Sequence, residues 1–172
     1  EVGYPVVPGH QFAGAVESVG WNVKYVEPGD RVAVHPYVTC GECSVCRSAG
    51  PTHDCERFEM LGMTLDGGLA EYCTVPARHL YKLPDHVTLE EGALIENLAN
   101  AVAAVRNAGL SPGERVVVIG SWSMAMCAVQ VARLHSPTTL VLVGIGEKRL
   151  ALGKELGVSK SIDLNSTGLS DR

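Results

Sequence analysis

Four cysteines constrain this chain more than any other feature: Cys40, Cys43 and Cys46 form a C-x2-C-x2-C run, and Cys55 follows after eight intervening residues. Thiols so closely spaced can surround one tetrahedral Zn²⁺ with Zn–S bonds of about 2.3 Å. The lobe between them, with Gly41, Glu42, Ser44, Arg47, Gly50 and Pro51, is too polar and turn-rich to hold itself together by apolar burial. A bound metal would then supply its folding free energy, roughly 10–16 kcal/mol in small zinc peptides. Disulfides and an iron–sulfur cluster are the alternatives. Nothing in the sequence points to an oxidising compartment, which argues against disulfides. A cluster accepts this spacing, although ferredoxin-like chains usually continue with C-P and a second cysteine group.

Around this lobe the chain has two textures. Residues 12–19, 31–35 and 68–75 read as short strands, and Glu27-Pro28-Gly29-Asp30 as a turn in which proline sets φ and glycine takes positive φ. Short strands with Gly and Pro punctuation predict an antiparallel barrel or sandwich. The period changes at Thr88. Thr88-Leu89-Glu90-Glu91 reads as a capping box, and Leu94, Leu98, Ala101, Val102 and Val105 recur at helical spacing until Gly109 and Pro112. Strands over 115–120, 139–143 and from 161 then alternate with helices over 123–134 and 147–156. Alternating β and α with near-continuous apolar strands predicts a parallel sheet covered on both faces. The expected domains are 1–87, all-β with the cysteine lobe at 40–55, and 88–172, α/β and cut off in its middle.

Composition narrows the function classes. The 172 residues are 46% hydrophobic and 19% charged, as in ordinary globular proteins. A net charge of −5 gives no electrostatic reason to expect nucleic acid or an anionic membrane as partner. The apolar stretch 116–132 is shorter than the ~20 residues a membrane span needs and is interrupted by Gly120, Ser121, Ser123 and Gln130. Glu1-Val2-Gly3-Tyr4-Pro5 has no basic stretch or apolar run, so no signal peptide is expected, and the location is read as cytoplasmic. The abrupt start without methionine suggests a fragment.

The sequence resembles the zinc-containing medium-chain alcohol/polyol dehydrogenases. Five features carry the likeness, in the family's order: Gly9-His10 with Gly14 and Gly20; Pro28-Gly29-Asp30-Arg31-Val32; Cys40-Gly41-x-Cys43-x-x-Cys46; Gly67-Gly68-x-Ala70-Glu71-Tyr72; and Pro112-Gly113-Glu114-Arg115-Val116. The resemblance implies a GroES-like catalytic domain joined to a Rossmann domain, with hydride transfer between an alcohol and NAD or NADP assisted by zinc. Cys40, Cys43, Cys46 and Cys55 would hold a structural zinc. His10 falls where the family has a ligand of the catalytic zinc, and Glu96 where the polyol and threonine branch places a carboxylate ligand. An open position on such an ion lets it polarise an alcohol oxygen. The first catalytic cysteine ligand, a hydroxyl for proton relay and the rest of the Rossmann sheet would lie outside this sequence. A homo-oligomer, dimer or tetramer, is implied for the full-length protein.

Several positions depart from that pattern. Gln11 stands where the family has glutamate beside the metal, which would leave the ion more electrophilic and less tightly held. The Cys46–Cys55 gap is one residue longer than usual, which a loop absorbs at little cost. A dinucleotide turn needs G-x-G-x-x-G, and the chain offers Gly120-Ser121-Trp122-Ser123-Met124-Ala125. Trp122 puts an indole where hydrogen is normally tolerated, so the loop either moves and binds cofactor weakly or is blocked. The ribose-binding acid expected about 20 residues on is replaced by Gly144. That removes an acceptor for the 2′-hydroxyl and a repulsion against a 2′-phosphate, and Lys148 or Arg149 could then favour NADP. Cys73 and Cys127 read as small buried hydrophobes, and His35, His53, His79, His86 and His135 show no partner pattern.

Three functions follow. The leading one is a zinc-dependent oxidoreductase acting on a secondary alcohol, polyol or amino alcohol. The alternative is a degenerate or truncated relative that keeps the structural zinc and the fold without catalysis. A zinc-independent quinone reductase relative ranks last, because that branch normally lacks the cysteine lobe.

Overall fold

The computed structural model describes residues 4–166. The chain divides into two compact units, Glu1–Glu96 and Asn97–Arg172. The change of period at Thr88 thus precedes the change of contact partners by several residues, because the first turns of helix pack with the strands before them.

In the first unit an antiparallel sheet runs in the order β1 (Ala13–Ala15), β2 (Arg31–Val34), β5 (Leu80–Lys82). A two-stranded ribbon pairs β3 (Tyr37–Val38) with β4 (Glu59–Met60), and the short helix α1 (Ser44–Arg47) lies in the cysteine lobe. The turn before β2 forms as the sequence predicts. Gly29 has φ +92°, and the Glu27 amide donates to Oδ2 of Asp30 at 2.8 Å. Arg31 then fastens the approach to α2 (Leu89–Ala93): its guanidinium donates to the carbonyls of Pro84, Asp85 and Val87 at 3.0, 3.0 and 2.7 Å.

Two strand expectations are corrected. β1 spans three residues of the predicted 12–19, although backbone pairing continues from Val16 to Asp30. No strand forms over 68–75. The amides of Gly67, Gly68 and Leu69 instead donate to the carbonyls of Val7, Gly9 and Pro8 at 2.8–3.0 Å. Glycine makes this close approach feasible: a Cβ on Gly67 would lie 2.1 Å from the Gly9 carbonyl oxygen, and one on Gly62 2.5 Å from it.

The capping box at Thr88 is present, its hydroxyl accepting from the Glu91 amide at 3.1 Å while the Glu91 carboxylate accepts from the Thr88 amide at 2.8 Å. The helix it starts is broken by a turn at Leu94, after which α3 (Ile95–Ala108) begins. The inward line of α3 is Asn97, Ala101 and Val105, whereas Leu94, Leu98 and Val102 are exposed. The apolar stripe read from the sequence is therefore only partly the buried one.

In the second unit β6 (Arg115–Ile119), β7 (Thr139–Gly144) and β8 (Lys160–Asp163) form a parallel sheet in that order, connected by α4 (Ser123–Arg133) and α5 (Glu147–Glu155). Val116 pairs with Leu140 and Val118 with Leu142, so these four share a face and line the core with Val129, Ala132 and Leu150. The expectation of cover on both faces is corrected for the described residues, since Val117 and Ile119 are 58% and 80% exposed. Two successive crossovers between adjacent strands have the same hand and place both helices on one side. No helix among the described residues is long and apolar enough to cross a membrane.

Candidate functional site

The cysteine lobe gathers its sulfurs as the spacing predicts. Cys40–Cys46 and Cys43–Cys46 are 3.8 and 3.4 Å apart, and Cys55 lies 3.9 Å from Cys43 and 3.6 Å from Cys40. A tetrahedron with 2.3 Å bonds has edges of about 3.8 Å, so these four side chains could hold one zinc ion. All six cysteines are free of disulfides. Backbone amides point at the sulfurs, from Cys43 to Cys40 at 3.3 Å, from Cys46 to Cys43 at 3.5 Å and from Cys40 to Cys55 at 3.4 Å. Donors of this kind favour thiolate, the form that binds metal. The Cys43 amide holds the Cys40 thiol down at about 6, and the Cys46 amide lowers that of Cys43. The hydrogen bond between the Cys43 and Cys46 sulfurs pushes the Cys46 thiol up to about 11. Arg57 pairs with Glu42 across the lobe.

A second cluster surrounds Glu96. The Gln11 amide donates to Oε2 of Glu96 at 3.1 Å, and the Tyr37 hydroxyl lies 3.5 Å from Oε1. An amide at position 11 can donate to this carboxylate, where the carboxylate expected there would repel it. His10, half-buried, follows Gly9 on the segment pinned to residues 67–69. Among the described residues, no group of three or more His, Cys, Asp or Glu side chains forms around His10 and Glu96; the cysteine lobe is the group that does. Tyr37 was not singled out from sequence, since 59 residues separate it from Glu96 and no local pattern links them. His35 and His79, assigned no role, stack at 5.8 Å, and His35 meets Tyr37 edge-on at 5.3 Å. Burial holds the His79 imidazole down at about 4, with Arg78 and His35 adding to the effect.

The third cluster is the βα turn after β6. Gly120 has φ +128°, and its amide donates to the Val143 carbonyl at 2.7 Å. Ser121 is buried, its hydroxyl donating to the Ile145 carbonyl at 2.7 Å and accepting from the Ile145 amide at 3.2 Å. A Cβ on Gly144 would meet the Ser121 Cβ at 2.6 Å, so the end of β7 has no room for an acidic side chain. Trp122 is the N-cap of α4, with Ser123 and Met124 exposed in its first turn. Its indole lies beneath Arg149, whose guanidinium carbon is 3.4 Å from the ring centroid, while Lys148 is exposed.

Comparison with known proteins gives these clusters a context. Residues 1–85 match the family described as the alcohol dehydrogenase GroES-like domain. An L-idonate 5-dehydrogenase from Vitis vinifera is 38% identical over 168 residues, which cover 97% of this chain and 45% of that protein. An L-threonine 3-dehydrogenase from Idiomarina loihiensis is 36% identical over 167 residues, covering 97% and 48%. A crystal structure from Sinorhizobium meliloti 1021, assigned as a zinc-binding dehydrogenase and bound to NADP, superimposes with a TM-score of 0.90 at 30% identity, over 99% of this chain and 49% of that one. The chain spans about half the length of the curated relatives it matches.

Proposed function

Because the chain belongs to the zinc-containing medium-chain alcohol/polyol dehydrogenases, we propose that the protein carrying it moves a hydride between a secondary alcohol, polyol or amino alcohol and NAD or NADP. The alcohol carbon gives up a hydride to the nicotinamide and the alcohol oxygen gives up a proton, and the reverse reaction restores both. The contact between Gln11 and Glu96 carries this reading. It joins the neighbour of His10 to a carboxylate 85 residues away, at the two positions where a catalytic zinc would be held. Bound there, zinc supplies Lewis-acid polarisation of the substrate oxygen.

The chain's own residues do the rest. His10 offers a ring nitrogen and Glu96 a carboxylate oxygen. Gln11 and Tyr37 fix that carboxylate from either side, which limits its rotation. The loop of Gly120, Ser121, Trp122, Ser123 and Met124 takes the dinucleotide beside Gly144, with Lys148 and Arg149 near its ribose. The cysteine lobe holds the second, structural zinc.

Gln11 also supports the competing reading, a family member that keeps the lobe without catalysis, because its amide removes a negative charge from the metal's surroundings. Metal analysis of the full-length protein separates the two. Two zincs per subunit, falling to one in His10→Ala with the fold intact, are expected of the enzyme. A single zinc that His10→Ala leaves in place would overturn it.

A further inference from the structure

We infer that Trp122 is a positioning residue that holds Arg149 as the selector for the 2′-phosphate of a dinucleotide, so that the two side chains act as one specificity device. The inference rests on the dinucleotide reading of this βα turn given above.

Three observations meet here. First, a side chain that could accept a hydrogen bond from a ribose 2′-hydroxyl is excluded at the end of β7. The space above Gly144 is filled by Ser121, and Ser121 is itself bonded to both backbone groups of Ile145. Selection for the unphosphorylated ribose thus has no place to be built. Second, Arg149 forms no ion pair with a carboxylate among the described residues, so its charge is available to an anion. Third, the stack reaches across two turns of the fold, from the N-cap of α4 to the first turn of α5.

The geometry suits the task. A cation over an aromatic ring spends the flat face of the guanidinium. The N–H donors lie in the guanidinium plane and stay available for bidentate contact with phosphate oxygens. An arginine fixed this way loses less freedom on binding than one moving through solvent. The unusual tryptophan in the glycine-rich turn and the missing acid at Gly144 then have one explanation: both adapt the site to a more highly charged cofactor.

The test uses the full-length protein and measures the dissociation constants of NADPH and NADH by the emission of the reduced nicotinamide, which does not depend on Trp122. The wild type is expected to bind NADPH at least about 10-fold more tightly. Arg149→Gln should weaken NADPH by about 10- to 100-fold, the loss typical of a charge-assisted hydrogen-bonding group, and leave NADH within about 3-fold. Trp122→Ala should weaken NADPH by about 3- to 10-fold more than it weakens NADH, Trp122→Phe should recover part of that difference, and the difference should vanish once Arg149 is glutamine. Equal affinity of the wild type for both nucleotides overturns the inference while leaving the dinucleotide reading intact. So does a Trp122→Ala loss that is the same for both nucleotides, or whose NADPH-specific part persists without Arg149. Failure of the wild type to bind either nucleotide overturns both.

Discussion

The two units are held together by different means. In the first, the apolar cluster consists of Val34, Val38 and Leu61, with Phe12, Leu65, Val75 and Leu80 packed on it. In the second, twelve buried residues from α3, α4, β7, α5 and the loop before β8 form a single cluster. Burial of this kind is worth about 25 cal/mol per Å² of apolar surface, so the second unit can rely on it. The first has a smaller cluster, with Val26, Val32, Ala33 and Leu83 buried outside it, and adds fastening: Arg31 gripping three carbonyls, Asp66 accepting from the Val7 amide at 2.8 Å, and four sulfurs gathered for a metal. Where the apolar cluster is small, polar and metal-binding residues share in supporting the fold.

Removing metal is the most severe way to test this contrast. Chelation of the full-length protein, or Cys43→Ser, should unfold the lobe around residues 40–57, since structural zinc contributes about 10 kcal/mol or more in comparable sites. Hydrogen exchange should rise there and in β3 and β4, and stay unchanged in β6, β7 and β8. Matching loss of protection in the parallel sheet would mean that the units do not depend on separate supports.

The complementary change is Leu142→Ala. Leu142 is fully buried, and a Cβ on Gly153 of α5 would lie 2.4 Å from it. Truncation should cost the second unit about 2–5 kcal/mol while the zinc content of the first stays constant, read by thermal unfolding and metal analysis.

A smaller effect is expected from pH. His79 is buried, and its Nε2 has no hydrogen-bond partner among the described residues. Its folded pKa is depressed from 6.5 to about 4, by burial above all. Above about 6.5 the ring is neutral in both folded and unfolded states and carries no penalty. Between about 6.5 and 4 the unfolded chain binds a proton that the folded one refuses, so stability falls as the medium is acidified. The loss should be about 2 kcal/mol once partial solvent screening is allowed for, and His79→Phe should remove that slope. A slope that survives the substitution would assign the acid sensitivity to another group.

How much of this was legible beforehand depended on distance along the chain. The cysteine run, the turn at Glu27–Asp30 and the capping box at Thr88 are local, and their chemistry is complete within a few residues. The strand–helix alternation after Arg115 was equally readable, because apolar runs bounded by Gly120, Gly144 and Gly157 carry their own stop signals. The break at Leu94 was hidden, since Leu94, Leu98 and Val102 give a plausible buried face and only packing decides that Asn97, Ala101 and Val105 turn inward. The polar grouping of Gln11, Tyr37 and Glu96 was out of reach for a similar reason. Its members come from three separate segments, and nothing near any of them announces the others. The region 68–75 looked like a strand because its residues have strand propensity, but its first two amides, Gly68 and Leu69, bond to the carbonyls of Gly9 and Pro8 and no strand follows.

The glycine contact beside His10 has a consequence for the metal site proposed there. Main chain lies against main chain at Gly9, Gly62 and Gly67 with no room for a methyl group. The imidazole beside that junction therefore inherits its placement from a fit that tolerates no thickening on either wall. A glycine-to-alanine change there, a net gain of one carbon and two hydrogens beside His10 and not at it, should shift the proposed ligand nitrogen while the thiolate knuckle remains sound. Such a chain is expected to keep the ion of the cysteine lobe and to lose the one proposed at His10.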